Sequence, residues 1–186
     1  MASFFTHAAV AATLVKIGSS GSNKVNSRNY LLCAAILSCF PDLDVIAYYL
    51  GVPYESFWGH RGISHSLFMA IFLGFLTNYF LLLKSDKPFS LMWWKSGMLL
   101  SVITASHGVI DALTNGGHGI AFFSPFDNTR YFFPWRPLEV SPMGISFFGP
   151  RGVKAVFSEV VWIWVPCAIM LTVLFVYRRI TQAHSE

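Results

Sequence analysis

The stretch Ser66–Leu83, SLFMAIFLGFLTNYFLLL, contains no charged residue over 18 positions. A hydrophobic run of this length without charge is typical of a helix that crosses a lipid bilayer. It also lacks the alternation of polar and apolar residues that marks a strand of a membrane barrel. Since only helices and closed barrels satisfy their backbone hydrogen bonds in lipid, we expect a helical membrane protein.

Further apolar segments extend this pattern over the whole chain. They are Phe4–Ile17, Tyr30–Leu50, Leu91–Leu113 and Val156–Tyr177. The first is short for a span that needs about 20 residues. Charged residues make up 12% of the chain, against about 25% in a typical globular protein. We therefore predict an all-α, polytopic transmembrane bundle of four to five helices, forming a single membrane-embedded domain over residues 1–186.

The basic residues indicate how the bundle is oriented. Alternate threading of the five segments places eight basic residues on one side: Lys16, Lys24, Arg28, Lys84, Lys87, Lys95, Arg178 and Arg179. The other side carries five, over far longer loops: Arg61, Arg130, Arg136, Arg151 and Lys154. Because cytoplasmic loops are enriched in lysine and arginine, we expect the first side to be cytoplasmic. The long connection Thr114–Ala155 is then extracytoplasmic.

Several classes of protein and site are disfavoured by the composition. The net charge is +4, but the basic residues are scattered beside apolar runs, so we expect no nucleic-acid partner. The three cysteines have no CxxC spacing and are expected to be inert small hydrophobes. The first residues lack the positive region of a secretory signal, so we expect no cleavage there.

Four histidines and three aspartates are expected to meet at the extracytoplasmic end of the bundle. The predicted metal ligands, or residues that orient them, are His7, Asp42, Asp44, His60, His65, His107 and Asp111. The threading was derived from lysine and arginine alone, so this convergence is an independent indication. Mixed imidazole and carboxylate ligands favour Zn, Mn, Fe or Co, and seven ligands are enough for one or two ions.

Two of these pairs have spacings that suit a shared ion. His107 and Asp111 are four residues apart on a helix, so their side chains point the same way; a His–Asp pair that locks two helices together is the alternative. Asp42 and Asp44 would diverge on a regular helix, but Pro41 removes a backbone hydrogen bond and opens the helix there. The alternative for this pair is an acidic helix start.

The segment Gly59–Ser66, GHRGISHS, is the most compact indication of a site. Its glycines allow His60 and His65 to turn toward one ion. Arg61 offers a planar fork suited to a phosphate or carboxylate, so we expect it to bind the anionic group of the substrate. Catalytic roles are therefore predicted for Arg61, Asp44 and His65. Two metal ions are a known solution for phosphoester cleavage.

The combined motifs resemble the YdjM-like family of bacterial inner-membrane proteins, which are classed as metal-dependent hydrolases. The likeness covers roughly the whole chain, and its motifs are His7, PDxD at Pro41–Asp44, HRGxxHS at His60–Ser66, and HxxxDxxTxxG at His107–Gly117. The resemblance implies a multi-pass inner-membrane protein that holds a divalent metal ion. Members from enteric bacteria are associated with the LexA-controlled SOS response, which implies a regulatory setting but no substrate.

The predicted function is metal-dependent hydrolysis of a phosphoester or lipid-linked substrate at the outer face of the inner membrane. The expected partners are membrane lipids and a small or lipid-linked anionic substrate, and the expected cofactor is Zn, Mn or a similar ion. An ion or metal transporter, or a sensor, is the main alternative, because intramembrane carboxylates and histidines also build ion pathways. Such a protein would spread its ligands through the depth of the bundle. A haem site is a third option, which the three aspartates fit poorly.

The long connection contains two aromatic clusters. They are Ser124–Phe126 and Tyr131–Trp135. We expect them to form a lid or a lipid-facing platform across the outer interface. A plain interfacial belt of aromatic side chains is the alternative.

Overall fold

The computed structural model describes residues 1–19, 28–82, 88–142 and 144–183. Within these ranges the helices are α1 (Phe4–Gly18), α2 (Arg28–Cys39), α3 (Val45–Tyr49), α4 (Leu67–Leu82), α5 (Leu91–Ala112), α6 (Pro150–Glu159) and α7 (Val165–Ala183). A 3₁₀ turn at Phe40–Asp44 joins α2 to α3, and a π-helical turn at Val160–Trp164 joins α6 to α7. The described residues form isolated β-bridges but no strand. Within the described residues, the prediction of an all-helical chain is confirmed, and each of the five predicted apolar segments is helical.

Two helix boundaries are set by prolines. The 3₁₀ turn has Pro41 in its first positions, where the missing N–H interrupts the α-helical hydrogen-bond ladder. The last apolar segment is helical from Pro150, where α6 begins, six residues before the predicted start at Val156. Proline is well suited to the first turn of a helix, where its N–H would have no intrahelical partner. The added residues are more polar than the span that follows them.

Small residues allow the central helices to pack closely. A Cβ atom at Gly74 of α4 would lie 2.3 Å from Ser101 Oγ of α5. Small side chains at such crossings are typical of membrane helices, where packing replaces the hydrophobic effect between helices. The core between α1, α2 and α5 contains Ala11, Ala34, Leu100 and Ile103, which are fully or almost fully buried.

The last helical stretch is long, apolar and exposed along its surface. Of the described helices, Arg28–Tyr49 and Pro150–Gln182 are long and apolar enough to cross a membrane. The second has 33 residues, a mean hydropathy of 2.3, and no residue of its most apolar window buried within the fold. At 1.5 Å per residue it is about 50 Å long, which exceeds a hydrocarbon core of about 30 Å.

The two ends of the bundle differ in composition. At one end, Arg178 of α7 donates a hydrogen bond to the carbonyl oxygen of Lys16, where α1 ends. The first turns of α2 and α5 also meet: the hydroxyl of Tyr30 donates a hydrogen bond to the carbonyl oxygen of Ser96. Of the other predicted cytoplasmic lysines, Lys95 lies in the first turns of α5, and Lys24, Lys84 and Lys87 lie outside the described residues.

The opposite end is covered by the long connection. The amide of Leu67 donates to the carbonyl oxygen of Phe122, and the amide of Ala121 donates to that of Arg61. The connection therefore packs against the loop that precedes α4. The helix ends beneath it carry the predicted site.

Candidate metal centre

All seven predicted site residues lie at the covered end of the bundle. His7 is in the first turns of α1, the two aspartates are in the 3₁₀ turn, and the last pair is in the final turns of α5. Two groups of side chains bring their ligand atoms within 4.8 Å of one another. We name them the Asp42 group (Asp42, His65, His107, Asp111) and the Asp44 group (Asp44, His60, His65).

The Asp42 group has the dimensions of a metal site. The Nε2 atoms of His65 and His107 are 3.1 Å apart. Asp42 Oδ1 is 3.3 Å from His107 Nε2 and 3.6 Å from His65 Nε2. Asp111 Oδ2 lies 3.9 Å from His65 Nε2 and 4.0 Å from His107 Nε2. A tetrahedral zinc site with bonds of about 2.0–2.1 Å has ligand atoms about 3.3 Å apart, so a small contraction would suit the ion.

Hydrogen bonds to the Nδ1 atoms of His65 and His107 determine that the Nε2 atom of each imidazole faces the other ligands of the Asp42 group. His107 Nδ1 donates to the carbonyl oxygen of Ser38 at 2.7 Å. His65 Nδ1 is 3.1 Å from Asp44 Oδ2 and 3.0 Å from Ser64 Oγ, which itself donates to Asp44. Both Nδ1 atoms therefore carry protons, and the two Nε2 atoms face each other. Such partners are typical of metal-binding histidines.

The carboxylates of the Asp42 group add two further acceptors. Within the described parts of the chain, Asp42 Oδ1 and Asp111 Oδ2 are buried and receive no hydrogen bond. Arg61 and the N-terminal amino group compensate part of the charge of Asp111, but without a proton or a cation between them the four ligand atoms would repel one another, and buried polar atoms in this state are costly. A cation among them removes this cost, so the residues present fit a divalent ion.

A proton takes the place of that cation when no metal is bound. Burial lowers the pKa of His65, but its contacts with Asp42 and Asp44 outweigh burial and raise the pKa to about 9. His65 is then an imidazolium at neutral pH, with its second proton among the four acceptors. A divalent ion that binds there displaces this proton.

Asp44 is surrounded by donors instead. Its carboxylate accepts from His60 Nδ1 at 2.5 Å, from the backbone amide of Arg61 at 3.0 Å, and from Ser64 Oγ. His65 Nδ1 contacts it as well. These donors occupy its lone pairs, so the geometry suits Asp44 to orienting His65 and His60 better than to direct ligation.

Arg61 has surroundings that differ from the expectation of substrate binding. Its side chain is buried, it donates to the carbonyl oxygen of Gly116 and to Thr114 Oγ1, and it pairs with Asp111 at 3.3 Å. A Cβ atom at Gly117 would lie 2.4 Å from this guanidinium, so glycine makes room for it. The guanidinium thus contacts Asp111 and the start of the long connection, and the role of Arg61 in substrate binding stays a prediction.

His7 lies beside the Asp42 group without completing it. Its ring stacks on that of His107, with centroids 3.8 Å apart. Its Nε2 is 3.6 Å from Asp111 Oδ1, which accepts a hydrogen bond from the amide of Ala2. Neither ring nitrogen of His7 has a hydrogen-bond partner among the described residues. His7 therefore remains a candidate ligand, on the far side of Asp111.

Two residues near the site were not identified from the sequence. Glu159 is fully buried and accepts hydrogen bonds from the amide and hydroxyl of Ser3 and from Thr6. A lone carboxylate inside the apolar segment Val156–Tyr177 was the available signal. Arg130 donates to the carbonyl oxygens of His60 and Tyr54 and thereby ties the long connection to the site. No sequence pattern marks Arg130.

An apolar cavity of about 400 Å³ adjoins the Asp42 group. Asp42 is part of its wall, and the described lining is otherwise apolar or small, with residues that include Phe4, Cys39, Val45, Tyr49, Phe147 and Phe148. Asp42 is also the most accessible of the four ligand side chains, with 15% of its surface exposed against none for His65. The group is therefore approached from the cavity.

Known proteins resemble the chain over almost its whole length. Residues 1–182 match the family described as YdjM inner membrane protein. Inner membrane protein YbcI of Escherichia coli (strain K12) is 31% identical over 185 residues, which cover 96% of this chain and 100% of the relative. No solved structure matches the chain significantly. The protein is thus an inner membrane protein, and it belongs to the YdjM inner membrane protein family.

Proposed function

We propose that the protein is a metal-dependent hydrolase of the inner membrane that acts on a phosphoester or lipid-linked substrate. The Asp42 group would hold one divalent ion. His7 and Asp111 Oδ1, which lie side by side, would offer ligands for a second. The observation that supports the proposal is the convergence of two imidazoles and two carboxylates, whose ligand atoms all lie within 4.8 Å of one another. Such an arrangement is costly to maintain and is usually functional inside a membrane protein.

The proposal includes an orientation. Four to five helices would cross the bilayer as one domain, and the connection 114–155 would lie on the extracytoplasmic side. The basic residues Lys16 and Arg178 at the opposite end support this orientation through the positive-inside rule. Arg130 and the connection then cover the site from the periplasm, and the site lies at the depth of the lipid headgroups.

Each surrounding residue has a role in this chemistry. When bound, a divalent ion would polarise the scissile group and activate water near neutral pH. Asp44 and the carbonyl oxygen of Ser38 would keep the imidazoles of His65 and His107 in the ligating tautomer. Arg61 would keep Asp111 ionised and in place. Asp42 would be the ligand nearest the incoming substrate.

Transport is less well supported than hydrolysis by the placement of the ligands. A transporter or sensor would distribute ionisable side chains along a path through the bundle. Here the His and Asp ligands cluster at one end, and the buried Glu159 lies at that end too. Metal flux into liposomes that contain the purified protein would reverse this preference.

The test is metal binding and hydrolysis by the purified protein. Protein in lipid nanodiscs would be stripped with chelator, loaded with Zn or Mn, and assayed on phosphatidate and on p-nitrophenyl phosphate. We expect metal-dependent release of phosphate or alcohol, and loss of both metal and activity in His107→Ala. His118→Ala is the matched control, because His118 is exposed and lies outside both groups. Protein that stays metal-free and cleaves no phosphoester would contradict the proposal.

A further inference from the structure

The cavity beside Asp42 is positioned between the candidate metal centre and the outer surface of the bundle. Its described walls come from the start of α1, from the 3₁₀ turn and α3, and from residues 141–142 and 144–148, which precede α6. Its volume of about 400 Å³ is within the range of small-molecule sites, about 300–1,000 Å³. The cavity is thus large enough for part of a substrate and not only for water.

The chemistry of the walls selects what can bind. Asp42 is the one charged side chain in the described lining, and aromatic and aliphatic groups form most of the rest. A purely ionic substrate would lose its hydration against these mostly apolar walls, and Met1, which also lines the cavity, has its amino group 3.7 Å from Asp111. An apolar chain would instead be removed from water at a gain of about fourfold in affinity per buried methylene.

The rim of the cavity faces the surroundings of the helices. Phe4, Tyr49 and Phe148 line the cavity and are also exposed, at 59%, 73% and 85%. Exposed aromatic residues of this kind are typical of the boundary between headgroups and acyl chains. A lipid chain can therefore enter from the bilayer while its polar end stays beside Asp42.

We propose that this cavity holds the apolar chain of a membrane lipid whose anionic ester group is the substrate of the metal centre. The inference rests on the proposed function and specifies the substrate as an amphiphile. Val45, Tyr49 and Phe148 are the residues that determine chain specificity, because they line the cavity without belonging to either ligand group.

A pair of neighbouring substitutions tests the specificity. Val45→Trp places a bulky ring in the cavity, whereas Ile46→Trp introduces the same side chain at the adjacent position, which is 56% exposed and outside the lining. We expect Val45→Trp to lower kcat/KM at least about tenfold for phosphatidate with long chains, since several methylenes lose their burial. Its metal content and its kcat/KM for p-nitrophenyl phosphate should match those of Ile46→Trp.

A second measurement reports chain binding without catalysis. Cys39 lines the cavity, so its rate of alkylation by N-ethylmaleimide in metal-free protein reports occupancy. Cys33→Ser and Cys167→Ser in the same protein remove the other two thiols. Long-chain phosphatidate should slow the alkylation of Cys39 several-fold, dibutyryl phosphatidate should not, and Val45→Trp should remove the protection.

The possible outcomes separate the two proposals. If Val45→Trp affects both substrates equally, or long-chain lipid leaves Cys39 unprotected, the chain-binding inference is overturned while the hydrolase stands. If long-chain lipid protects Cys39 but no phosphoester is cleaved by metal-loaded protein, the hydrolase proposal is overturned, and the cavity is a lipid site without a reaction.

Discussion

The Asp42 group and the Asp44 group are built from the same two residue types but have opposite hydrogen bonding. Asp44 accepts from three donors and contacts His65, whereas Asp42 Oδ1 receives no hydrogen bond from the described residues. The two aspartates are only two residues apart. The donors around a carboxylate, and not its place in a motif, therefore decide whether it binds a metal or orients a ligand.

His65 joins the two groups. Its Nδ1 faces Asp44 and its Nε2 faces Asp42, His107 and Asp111. One imidazole thus transmits the geometry of the Asp44 group to the Asp42 group. Substitutions on either side should therefore have graded effects on metal binding.

The largest effect is expected for Arg61→Met, because Arg61 contacts both groups. Its backbone amide donates to Asp44 and its guanidinium pairs with Asp111. Removal of one member of a buried ion pair costs about 3–5 kcal/mol, so the free energy of unfolding in mixed SDS micelles should fall by that amount. Bound Zn should reduce the loss, since the ion also neutralises Asp111. Equal losses with and without Zn would contradict this role.

Asp42→Asn tests the metal-binding half of the comparison. The amide keeps the size of the side chain but removes the charge of a direct ligand. Substitutions of residues that only orient ligands typically cost about 10–100-fold in metal affinity, so the loss of a ligand should exceed about 100-fold. Competition with a zinc chelator measures this directly. An affinity within a few-fold of the unsubstituted protein would place the ion elsewhere.

Asp44→Asn tests the orienting half. Asp44 lies behind the His65 ring with its oxygens occupied by donors. Its substitution should weaken zinc binding by about 10–100-fold, less than Asp42→Asn. The same chelator competition provides the comparison. If the order of the two variants is reversed, Asp44 is the ligand and the roles of the two groups must be exchanged.

The pH dependence follows from the proton on His65. Its pKa in the metal-free fold, about 9, is above the ordinary value of 6.5. Protonation therefore stabilises the metal-free fold fully below pH 6.5, and this contribution is lost as the pH rises through about 9. Because the ion displaces this proton, zinc affinity should rise about tenfold per pH unit up to pH 9. Calorimetry at pH 7, 8 and 9 would measure this; a flat affinity means that no proton is displaced.

The smallest effect is expected for His118→Ala. His118 pairs with Glu55 at 2.7 Å, but both side chains are more than half exposed. Surface substitutions of this kind change stability by about 0.5 kcal/mol or less, and metal content should not change. Metal analysis and SDS unfolding are the measurements. A loss of metal in this variant would show that the site extends beyond the two groups.

Much of the fold and the meeting of the site residues could be predicted from local signals. Apolar runs mark membrane helices, and Lys16 and Arg178 marked the end of the bundle opposite the site. Because successive membrane helices run in opposite directions, the lengths of the apolar runs were then enough to place His7, Asp42 and His107 at the same end. The prediction missed the first turns of α6, which begins at Pro150, because these turns are polar and the prediction relied on apolar runs.

The division of labour within the site could not be predicted, because it depends on contacts between distant segments. The environment of Arg61 is created by Gly116 and Gly117, more than 50 residues away. Glu159 meets Ser3 only after α1 and α6 have packed. Spacing alone therefore presented Arg61 as a substrate-binding residue and left Glu159 unnoticed.

X-ray absorption at the zinc edge of the loaded protein would identify the ligands of the ion. The account predicts two imidazole nitrogens and carboxylate oxygens at about 2.0–2.1 Å, with no sulfur ligand. One imidazole should disappear from the spectrum in His65→Ala and in His107→Ala, measured at high protein concentration to keep zinc bound. A sulfur ligand, or a spectrum that is unchanged in both variants, would contradict the claim that these two histidines share one ion.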